Sequence, residues 1–307
     1  MTDISVIVCT YNRSTSILDT LRSLAEMTVP DDLSWEVLVV DNNSTDNTRE
    51  VITGFIEDGH KGFHYLFEPN QGKCYALNHG IGKATGRIVA FTDDDAIVDR
   101  RWLKSIVEAI KENDADCVGG KVLPVWEGTR PAWLSDDMLN VLALLDYGED
   151  AFQFPRRNNN RMLFGVNFAF RKEMFAKEGL FRVELESRGE DQEMFERLLA
   201  ANGKAIYSPE IVVHHRISPQ RLTKSYYRKW YLESGKARAK LQAASRMTFL
   251  GIPGYTIKQS LRRLNAFICS AVTVNKSALF SNELWLIFYC AFFFSKIRHS
   301  LFHRENI

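Results

Sequence analysis

Three consecutive carboxylates, Asp93, Asp94 and Asp95, follow an apolar run in the stretch GRIVAFTDDDAIV. Adjacent negative charges repel one another, so such a run is unfavourable unless a positive group lies beside it. Hard divalent cations such as Mg²⁺ and Mn²⁺ prefer carboxylate oxygens, and Mg²⁺ is usually shared with substrate phosphates. An Asp-x-Asp at a strand end could hold a cation with one carboxylate and a ribose with another. A solvated acidic turn that caps the helix after Ile97 is the alternative, because Asp-x-Asp alone is a weak pattern.

Other polar side chains also stand at the ends of apolar runs. Asp41 ends WEVLVVD, although Asp and Asn there also suit a turn. His214 and His215 end another apolar strand, where a single histidine is more often structural than a ligand. Glu190 and Asp191 stand where a helix begins, so Asp191 could cap that helix or act as a general base toward a substrate hydroxyl.

The first hundred residues alternate between strand and helix patterns. We predict strands at 4–10, 35–41, 63–68 and 87–93, and helices at 14–27, 44–58 and 73–84. Alternation with unbroken Val, Ile and Leu strands predicts a parallel sheet with helices on both faces. Ligands of such sheets bind beyond the carboxyl ends of the strands. The residues around Thr10, Asp41 and Asp93 are therefore expected to share one rim.

The following residues are less regular. Residues 126–160 contain Pro131 and Pro155, and we expect this segment to be a connection over the site. We then predict a strand running into a helix at 164–175, a helix at 189–203, and a strand pair at 205–215 broken at Pro209.

Composition is that of a globular protein, with 45% hydrophobic and 25% charged residues. The net charge of +1 gives no global case for nucleic-acid binding. The charge is unevenly distributed, because residues 216–307 contain 16 basic side chains against three acidic ones. A basic tail favours an anionic surface such as phospholipid headgroups.

Five cysteines are widely spaced, and no pair has metal-ligand spacing: Cys9, Cys74, Cys117, Cys269 and Cys290. An odd number at such spacing fits reduced thiols in the cytosol. The N-terminal residues MTDISVIVCTYNR lack a basic segment before the apolar run, so we expect no signal peptide.

The C-terminal tail contains two apolar patterns. LWLIFYCAFFF, residues 284–294, is shorter than the about 20 residues that a membrane-spanning helix needs. Residues 254–274 predict a basic amphipathic helix that could lie in a membrane interface. Its apolar face comprises Ile257, Leu261, Leu264 and Ile268, with Lys258, Arg262 and Arg263 off that face. The alternative is a helical subdomain that packs on the catalytic core and exposes its own basic face to solvent.

Six motifs in order resemble glycosyltransferase family 2, whose members are nucleotide-sugar enzymes of the GT-A fold. They are SVIVCTYNR, EVLVVDNNSTDNT, NQGKCYALNHGI, AFTDDD, FGVNFAFRKEMF and GEDQEMFERLLANGKAIYSPEIVVHHR, between Ile4 and about Arg228. The resemblance implies an α/β fold with a Rossmann-like, mostly parallel sheet and a helical C-terminal extension. It implies a catalytic domain at 1–228, with a nucleotide-sugar half at about 1–125 and an acceptor half at about 126–228. The tail at 229–307 is the possible membrane-associating region.

The resemblance also implies roles for residues on the donor side. Thr10, Asn12 and Arg13 would line the nucleotide site, and Asp41 would accept a hydrogen bond from the base, usually uracil. Lys73 would contact a phosphate, although Lys73-Cys74-Tyr75 departs from the small or Arg-containing stretch often found there.

Asp93 and Asp94 would lie near the ribose and diphosphate, and Asp95 would bind a divalent cation, Mn²⁺ or Mg²⁺, with Asp93 beside it. His215 would be the second residue on the metal side, and His214 stays possible.

On the acceptor side, the resemblance implies that Asp191 of the Glu190–Asp191 pair is the catalytic base. Gly165 and Asn167 would shape that side of the pocket. The implied reaction is inverting transfer from a nucleotide-sugar, usually a UDP-sugar, to a hydroxyl of a glycan or lipid-linked acceptor. The expected location is the cytoplasm, at the inner face of the plasma membrane, with peripheral contact through the tail.

Three other classes compete with this interpretation. A phosphatase or phosphotransferase would use an aspartyl nucleophile, commonly in Asp-x-Asp-x-Thr/Val, whereas Ala96-Ile97 follow Asp95 here. A nucleotidyltransferase would carry a Gly-rich phosphate loop near residue 10, which is not found. A catalytically inactive nucleotide-sugar binding protein is disfavoured by the intact aspartates at 93–95 and 191.

Overall fold

The computed structural model describes residues 2–155, 161–185, 188–241, 248–249 and 252–302. Their contacts divide the chain into two units. The sheet unit comprises Met1–Val125, Ala143–Glu186 and Glu190–Arg216, and the helical unit comprises Trp126–Leu142, Ser187–Gly189 and Ile217–Ile307.

Four parallel strands form one half of the sheet, in the order β3-β2-β1-β4. They are β1 (Ile4–Thr10), β2 (Trp35–Asp41), β3 (Phe63–Phe67) and β4 (Ile88–Asp93). The helices α1 (Ile17–Ala25), α2 (Thr48–Glu57) and α3 (Lys73–Lys83) connect them. Thr10 pairs with Asp41, and Cys9 pairs with Asp93, so the polar strand ends share one edge. The predicted α/β class is confirmed.

Burial explains why these segments are strands and helices. Ile4, Val6, Ile7 and Val8 of β1 are all fully buried, because helices cover both faces of a parallel sheet. In α1 the buried positions Ile17, Leu21 and Leu24 recur at helical spacing, which leaves the opposite face for polar side chains.

The remaining strands extend the sheet with antiparallel pairs. They are β5 (Ala96–Val98), β6 (Cys117–Trp126), β7 (Phe152–Gln153), β8 (Phe168–Arg171) and β9 (Ala205–Ile217). The helices here are α4 (Trp102–Asn113), α5 (Glu173–Glu178) and α6 (Glu190–Ala200), with a short 3₁₀ helix at Gly165–Asn167. Another 3₁₀ helix, at Asp136–Leu142, belongs to the helical unit. β8 runs antiparallel to β4 and β6, and β9 runs antiparallel to β5 and β7.

One expectation about this half is wrong. Pro209 does not break the chain into two strands, because β9 continues from Ala205 to Ile217. β9 pairs with β7 at 206–207 and with β5 at 213–215. Pro209, which has no N–H to donate, lies between these two paired stretches.

Two segments contain elements whose bounds the sequence patterns did not predict. Helix α4 and strand β6 occupy 102–113 and 117–126, where the sequence patterns predicted no bounds and indicated only a possible helix after Ile97. The expected connection at 126–160 contains a 3₁₀ helix and β7, and its residues 156–160 lie outside the described part of the chain.

The helical unit contains three long helices. They are α7 (Lys224–Leu241), α8 (Gly254–Val272) and α9 (Lys276–Phe302), with a 3₁₀ helix at Pro219–Leu222 and a short hairpin of β10 (Thr248–Phe249) and β11 (Ile252–Pro253). Gly235 lets α7 approach α9 closely, because a Cβ there would lie 2.3 Å from the carbonyl oxygen of Phe288. Among the described residues, Lys276–Arg298 is long and apolar enough to cross a membrane, with a mean hydropathy of 1.4.

Gly120 of β6 gives a test of how tightly the sheet packs. A Cβ there would lie 2.1 Å from the backbone oxygen of Ile211, whereas a Cβ at Gly82 of α3 would meet nothing within 4 Å. We expect Gly120→Ala to lower the free energy of unfolding by about 3 kcal/mol or more, because backbone must move. The matched control Gly82→Ala should raise it by about 0.5–1 kcal/mol, because helix interiors favour Ala. Urea denaturation followed by circular dichroism measures both; equal effects would contradict the packing of β6 on β9.

Candidate active site

The loops after β1 and β2 are tied together by hydrogen bonds. The backbone N–H of Asn12 donates to Ser44 Oγ at 2.9 Å, and the N–H of Thr45 donates to Asn12 Oδ1 at 2.8 Å. The N–H of Arg13 donates to Thr48 Oγ1 at 2.9 Å. Asn12 has a positive φ of 53°, a left-handed conformation that Asn adopts more easily than most residues. These bonds fix the predicted donor-side residues beside the end of β2.

Asp41 is buried at the end of β2. Its carboxylate accepts the backbone N–H of Ser44 at 3.0 Å and the hydroxyl of Tyr65 at 2.9 Å. Burial, followed by the hydrogen bond to Asp41, raises the pKa of Tyr65 well above its ordinary value. Each carboxylate oxygen has more than one lone pair, so Asp41 can still accept a further hydrogen bond.

A second network, which the sequence analysis did not identify, positions the start of α3. Asn42 donates through Nδ2 to the carbonyl of Asn70 at 2.6 Å and accepts the N–H of Gly72 at 2.8 Å. Glu68 accepts both the backbone N–H and the side-chain amide of Asn70 at 2.8 Å. Gly72 has a φ of 139°, which a residue with a side chain rarely adopts. The signal in the sequence is the pair of amide-rich turns at 42–43 and 70–71, which together place Lys73 at the rim.

The acidic segment after β4 meets the end of β9. Potential ligand atoms of Asp93, Asp95 and His215 all lie within 4.8 Å of one another. His215 Nε2 is 3.0 Å from Asp95 Oδ1, and the imidazole is buried. The side chain of His214 points to the other face of β9, because successive side chains of a strand point to opposite faces. Two carboxylates and an imidazole form a ligand set that suits Mn²⁺, so these residues fit a divalent cation.

Two basic side chains lie against the aspartates. Arg13 is 3.6 Å from Asp94 and 3.7 Å from Asp95, and Lys73 Nζ is 3.0 Å from Asp93. Burial, with the charge of Asp95, nevertheless raises the pKa of Asp94 to about 7. The positive groups expected beside this acidic run are therefore in part supplied by the protein itself.

A cleft lies next to these residues. Its charged lining comprises Lys73, Asp93, Glu190 and Asp191. The rest of the lining is mostly apolar: Cys9, Leu77, Phe91, Thr92, Gly165, Phe168 and Phe181. Lys73 Nζ bridges Asp93 and Glu190, at 3.0 and 3.4 Å. One lysine thus joins the acidic end of β4 to the start of α6.

Asp191 has the environment of a general base. Its carboxylate accepts the backbone N–H of Gly165 at 3.3 Å and that of Gln192 at 2.7 Å. Burial, followed by the negative charge of Glu190, raises the pKa of Asp191 to about 6, against the opposing effects of Lys73 and the two N–H groups. A carboxylate with a pKa near neutral is well suited to accept a proton from a hydroxyl.

The two residues expected on the acceptor side occupy different positions. Gly165 lines the cleft and holds Asp191 through its N–H. Asn167 is buried, where its Oδ1 accepts the indole N–H of Trp102 at 2.8 Å and its Nδ2 donates to the carbonyls of Lys121 and Ile211. Asn167 thereby anchors the 3₁₀ helix that carries Gly165.

Comparison with known proteins assigns the family. The sequence model described as glycosyl transferase family 2 matches residues 5–179, more than half of the chain. The chain belongs to glycosyltransferase family 2. The succinoglycan biosynthesis protein ExoM of Rhizobium meliloti is 30% identical over 243 residues, which cover 78% of this chain and 75% of ExoM. This family 2 protein is therefore a glycosyltransferase, as its motifs predicted.

Solved structures share the fold of this family 2 enzyme. The mannosyltransferase PcManGT from Pyrobaculum calidifontis, in complex with GDP-Man and Mn²⁺, has a TM-score of 0.62 at 21% identity, covering 97% of this chain and 86% of PcManGT. S. aureus TarS 1–349, in complex with UDP, has a TM-score of 0.57 at 21% identity, covering 100% of this chain and 92% of TarS. The GT-A fold of the enzyme is thereby confirmed.

The two adjacent histidines provide a matched test of the candidate cation site. We expect His215→Gln to weaken Mn²⁺ binding by at least about tenfold, because it removes one of three clustered ligand atoms. His214→Gln makes the same chemical change on the other face of β9 and should leave Mn²⁺ affinity unchanged. Calorimetric titration of each purified variant with Mn²⁺ measures the difference. Equal weakening in both, or in neither, would reject the Asp93–Asp95–His215 site.

Proposed function

We propose that this enzyme transfers a sugar from a UDP-sugar to a hydroxyl of a glycan or lipid-linked acceptor, with inversion of the anomeric configuration. The observation that carries the proposal is the shared cleft: Asp93, which belongs to the candidate cation site, and Asp191, which has a raised pKa, both line it. A departing diphosphate needs positive charge, which a cation held by Asp93 and its neighbours can supply, and an attacking hydroxyl needs a base, which Asp191 can supply in the same cleft.

The rim formed by β1, β2 and α3 supports binding of the donor. We assign Asp41 to a hydrogen bond with the nucleotide base, because Ser44 and Tyr65 hold its buried carboxylate in place. Thr10, Asn12 and Arg13 lie on the neighbouring strand end, where they would line the nucleotide site. Lys73, at the first residue of α3, has the charge and position to contact a donor phosphate.

Asp93, Asp95 and His215 would hold the divalent cation, with Asp94 near the ribose and diphosphate. When bound, the cation supplies positive charge that stabilises the departing diphosphate. Arg13 contributes positive charge at the same end of the site, because it lies within 4 Å of Asp94 and Asp95. Its charge would be available to the diphosphate as well.

Asp191 would remove the proton of the acceptor hydroxyl. The hydroxyl oxygen forms a bond to the anomeric carbon as the bond from that carbon to the diphosphate oxygen breaks. Attack from the face opposite the leaving group inverts the configuration. Gly165 and Gln192 orient the Asp191 carboxylate, and Lys73 holds Glu190 beside it. The apolar walls of the cleft limit water, which would otherwise compete with the acceptor.

A similar protein and the charge of the C-terminal region support the proposed acceptor and location. ExoM is named for succinoglycan biosynthesis, which favours a glycan acceptor. The basic C-terminal region favours peripheral contact with anionic lipid, and therefore action on a lipid-linked acceptor at the cytoplasmic face of the plasma membrane.

Asp191→Asn tests the assignment of the base. We expect it to lower transfer by about 10²–10⁴-fold, because an amide cannot accept the proton, while donor affinity stays unchanged. Asp58→Asn, the same change at an exposed position at the end of α2, is the control. Release of nucleoside diphosphate from UDP-, GDP- and dTDP-sugars, with Mn²⁺ or Mg²⁺ and an acceptor mixture, is the assay. Strong residual transfer by Asp191→Asn would refute the assignment of Asp191 as the catalytic base. A wild type that binds the nucleotide-sugar without releasing nucleoside diphosphate would be an inactive binding protein. A wild type that releases phosphate from a phosphoester would be a phosphotransferase.

The pH profile gives an independent test of the same carboxylate. Because the base must be deprotonated, kcat/KM should rise with pH through about 6, the raised pKa of Asp191, and then level off. Glu190→Gln removes a negative charge that raises this pKa, so the rise should move to lower pH. Rate measurements across pH 4–9 with saturating cation detect the shift. A rise that stays in place or moves to higher pH would contradict the assigned coupling.

A further inference from the structure

Helix α8 packs against its neighbour with its polar side. Thr256 and Ser270 are buried, and Gln259 accepts the hydroxyl of Tyr289 from α9 at 3.3 Å. The guanidinium of Arg263 lies 4.9 Å from the ring centroid of Trp285, also on α9. The side that a soluble helix normally makes apolar is thus polar or small here.

The opposite side of α8 is apolar and exposed. Five aliphatic side chains recur at spacings of three and four residues, which places them on one stripe. Their exposed fractions are 36% for Ile257, 60% for Leu261, 44% for Leu264, 53% for Ile268 and 78% for Val272. Val274, in the turn between α8 and α9, is 73% exposed as well. A contiguous apolar stripe of this kind marks an interaction surface rather than scattered surface hydrophobics.

Positive charge borders this stripe. Lys258 and Arg262 are exposed and each follows a stripe residue, so each lies about 100° around the helix from it. Residues 254–272 contain no Asp or Glu, and exposed Lys276 follows them. An apolar stripe edged by cations is complementary to an anionic phospholipid surface, in which acyl chains lie beneath negative headgroups.

The longer apolar helix, α9, is used differently. Its side chains Phe280, Leu284, Tyr289 and Phe292 are buried within the helical unit. Gly235 of α7 lies against its backbone. Packing inside the unit buries 33% of the apolar window in Lys276–Arg298, the segment that is long enough to span a membrane.

We propose that the exposed stripe of α8 inserts into the headgroup–acyl boundary of an anionic phospholipid bilayer, with α8 parallel to the membrane plane. The surface is argued from α8 alone, and its purpose rests on the proposed function, since it would hold the enzyme at a membrane that carries a lipid-linked acceptor. The bound helix buries Leu261, Leu264 and Ile268 in lipid, and Lys258 and Arg262 contact headgroup phosphates.

Co-sedimentation of the full-length protein with vesicles tests the insertion. The wild type should bind vesicles that mix phosphatidylcholine with phosphatidylglycerol, and bind pure phosphatidylcholine more weakly. Leu261→Gln/Leu264→Gln/Ile268→Gln should lower the partition coefficient at least about tenfold, because binding scales with the apolar area buried. Leu180→Gln, a like change at a side chain 45% exposed in the sheet unit, is the control and should bind as the wild type does.

The charges are tested separately. Lys258→Gln/Arg262→Gln should lower partitioning to the anionic vesicles by about fivefold for each charge removed, and high salt should abolish the difference. Lys83→Gln/Lys111→Gln changes two exposed lysines of α3 and α4 and should have no effect. All substituted positions of α8 are exposed, so thermal unfolding by circular dichroism should match that of the wild type.

Other outcomes would overturn the proposal. Wild-type binding that the α8 variants leave unchanged would place the membrane surface elsewhere. A wild-type dimer that the apolar variant converts to a monomer, without vesicle binding, would make the stripe a contact between copies of the chain. Nucleoside diphosphate release from the donor separates this failure from that of the proposed function. The α8 variants should keep that release, whereas a chain that binds vesicles but releases no nucleotide would refute the glycosyltransferase reaction alone.

Discussion

Mutual repulsion among clustered carboxylates is the constraint on which the site depends. Asp93, Asp94 and Asp95 stand at one strand end, and Glu190 and Asp191 start a helix that lines the same cleft. Two cations of the protein, Arg13 and Lys73, lie among them. Burial, followed by the repulsion from a neighbouring carboxylate, raises the pKa values of Asp94 and Asp191. A site left short of positive charge in this way is suited to a divalent cation, and a carboxylate whose pKa is raised toward neutral is suited to act as a base.

The parallel sheet brings these charges together. Parallel strands end at one edge, so Thr10, Asp41 and Asp93 become neighbours although they are far apart in the chain. The rim is then fixed by amide side chains, Asn12 between the first two loops and Asn42 between β2 and α3. Buried Asn167 anchors the 3₁₀ helix that carries Gly165, through hydrogen bonds to the indole of Trp102 and to the carbonyls of Lys121 and Ile211. The segments around the acidic cleft are thus held by neutral hydrogen bonds, which add no further charge to a region already rich in it.

The helical unit follows a different logic. Helices α7 and α9 bury apolar side chains against each other around Gly235, whereas α8 turns its polar side inward and its apolar side outward. Water alone would favour the reverse, since exposed aliphatic area costs about 25 cal/mol per Å². The arrangement is consistent with the proposed insertion, in which the acyl chains of a bilayer cover the exposed apolar side. The basic residues along the edge of that side are complementary to anionic headgroups.

The family and the fold class were determined by the sequence alone, and the sequence also pointed to most of the charged residues that the structure gathers at one rim and cleft. Buried strands that end in Asp41 and Asp93 can be recognised locally, because periodicity and turn residues act over a few positions. Tertiary structure decided which partners these residues meet. The pleat of β9 places His215, and not His214, beside Asp95, and Asn167 is buried as an anchor. Asn42 forms a hydrogen-bond network with the start of α3. Strand β9 continues through Pro209, because its paired residues lie on either side of that proline. Tertiary structure also decided that α8, not α9, presents its apolar side. These features depend on contacts between residues that are distant in the chain, and a local sequence pattern does not show such contacts.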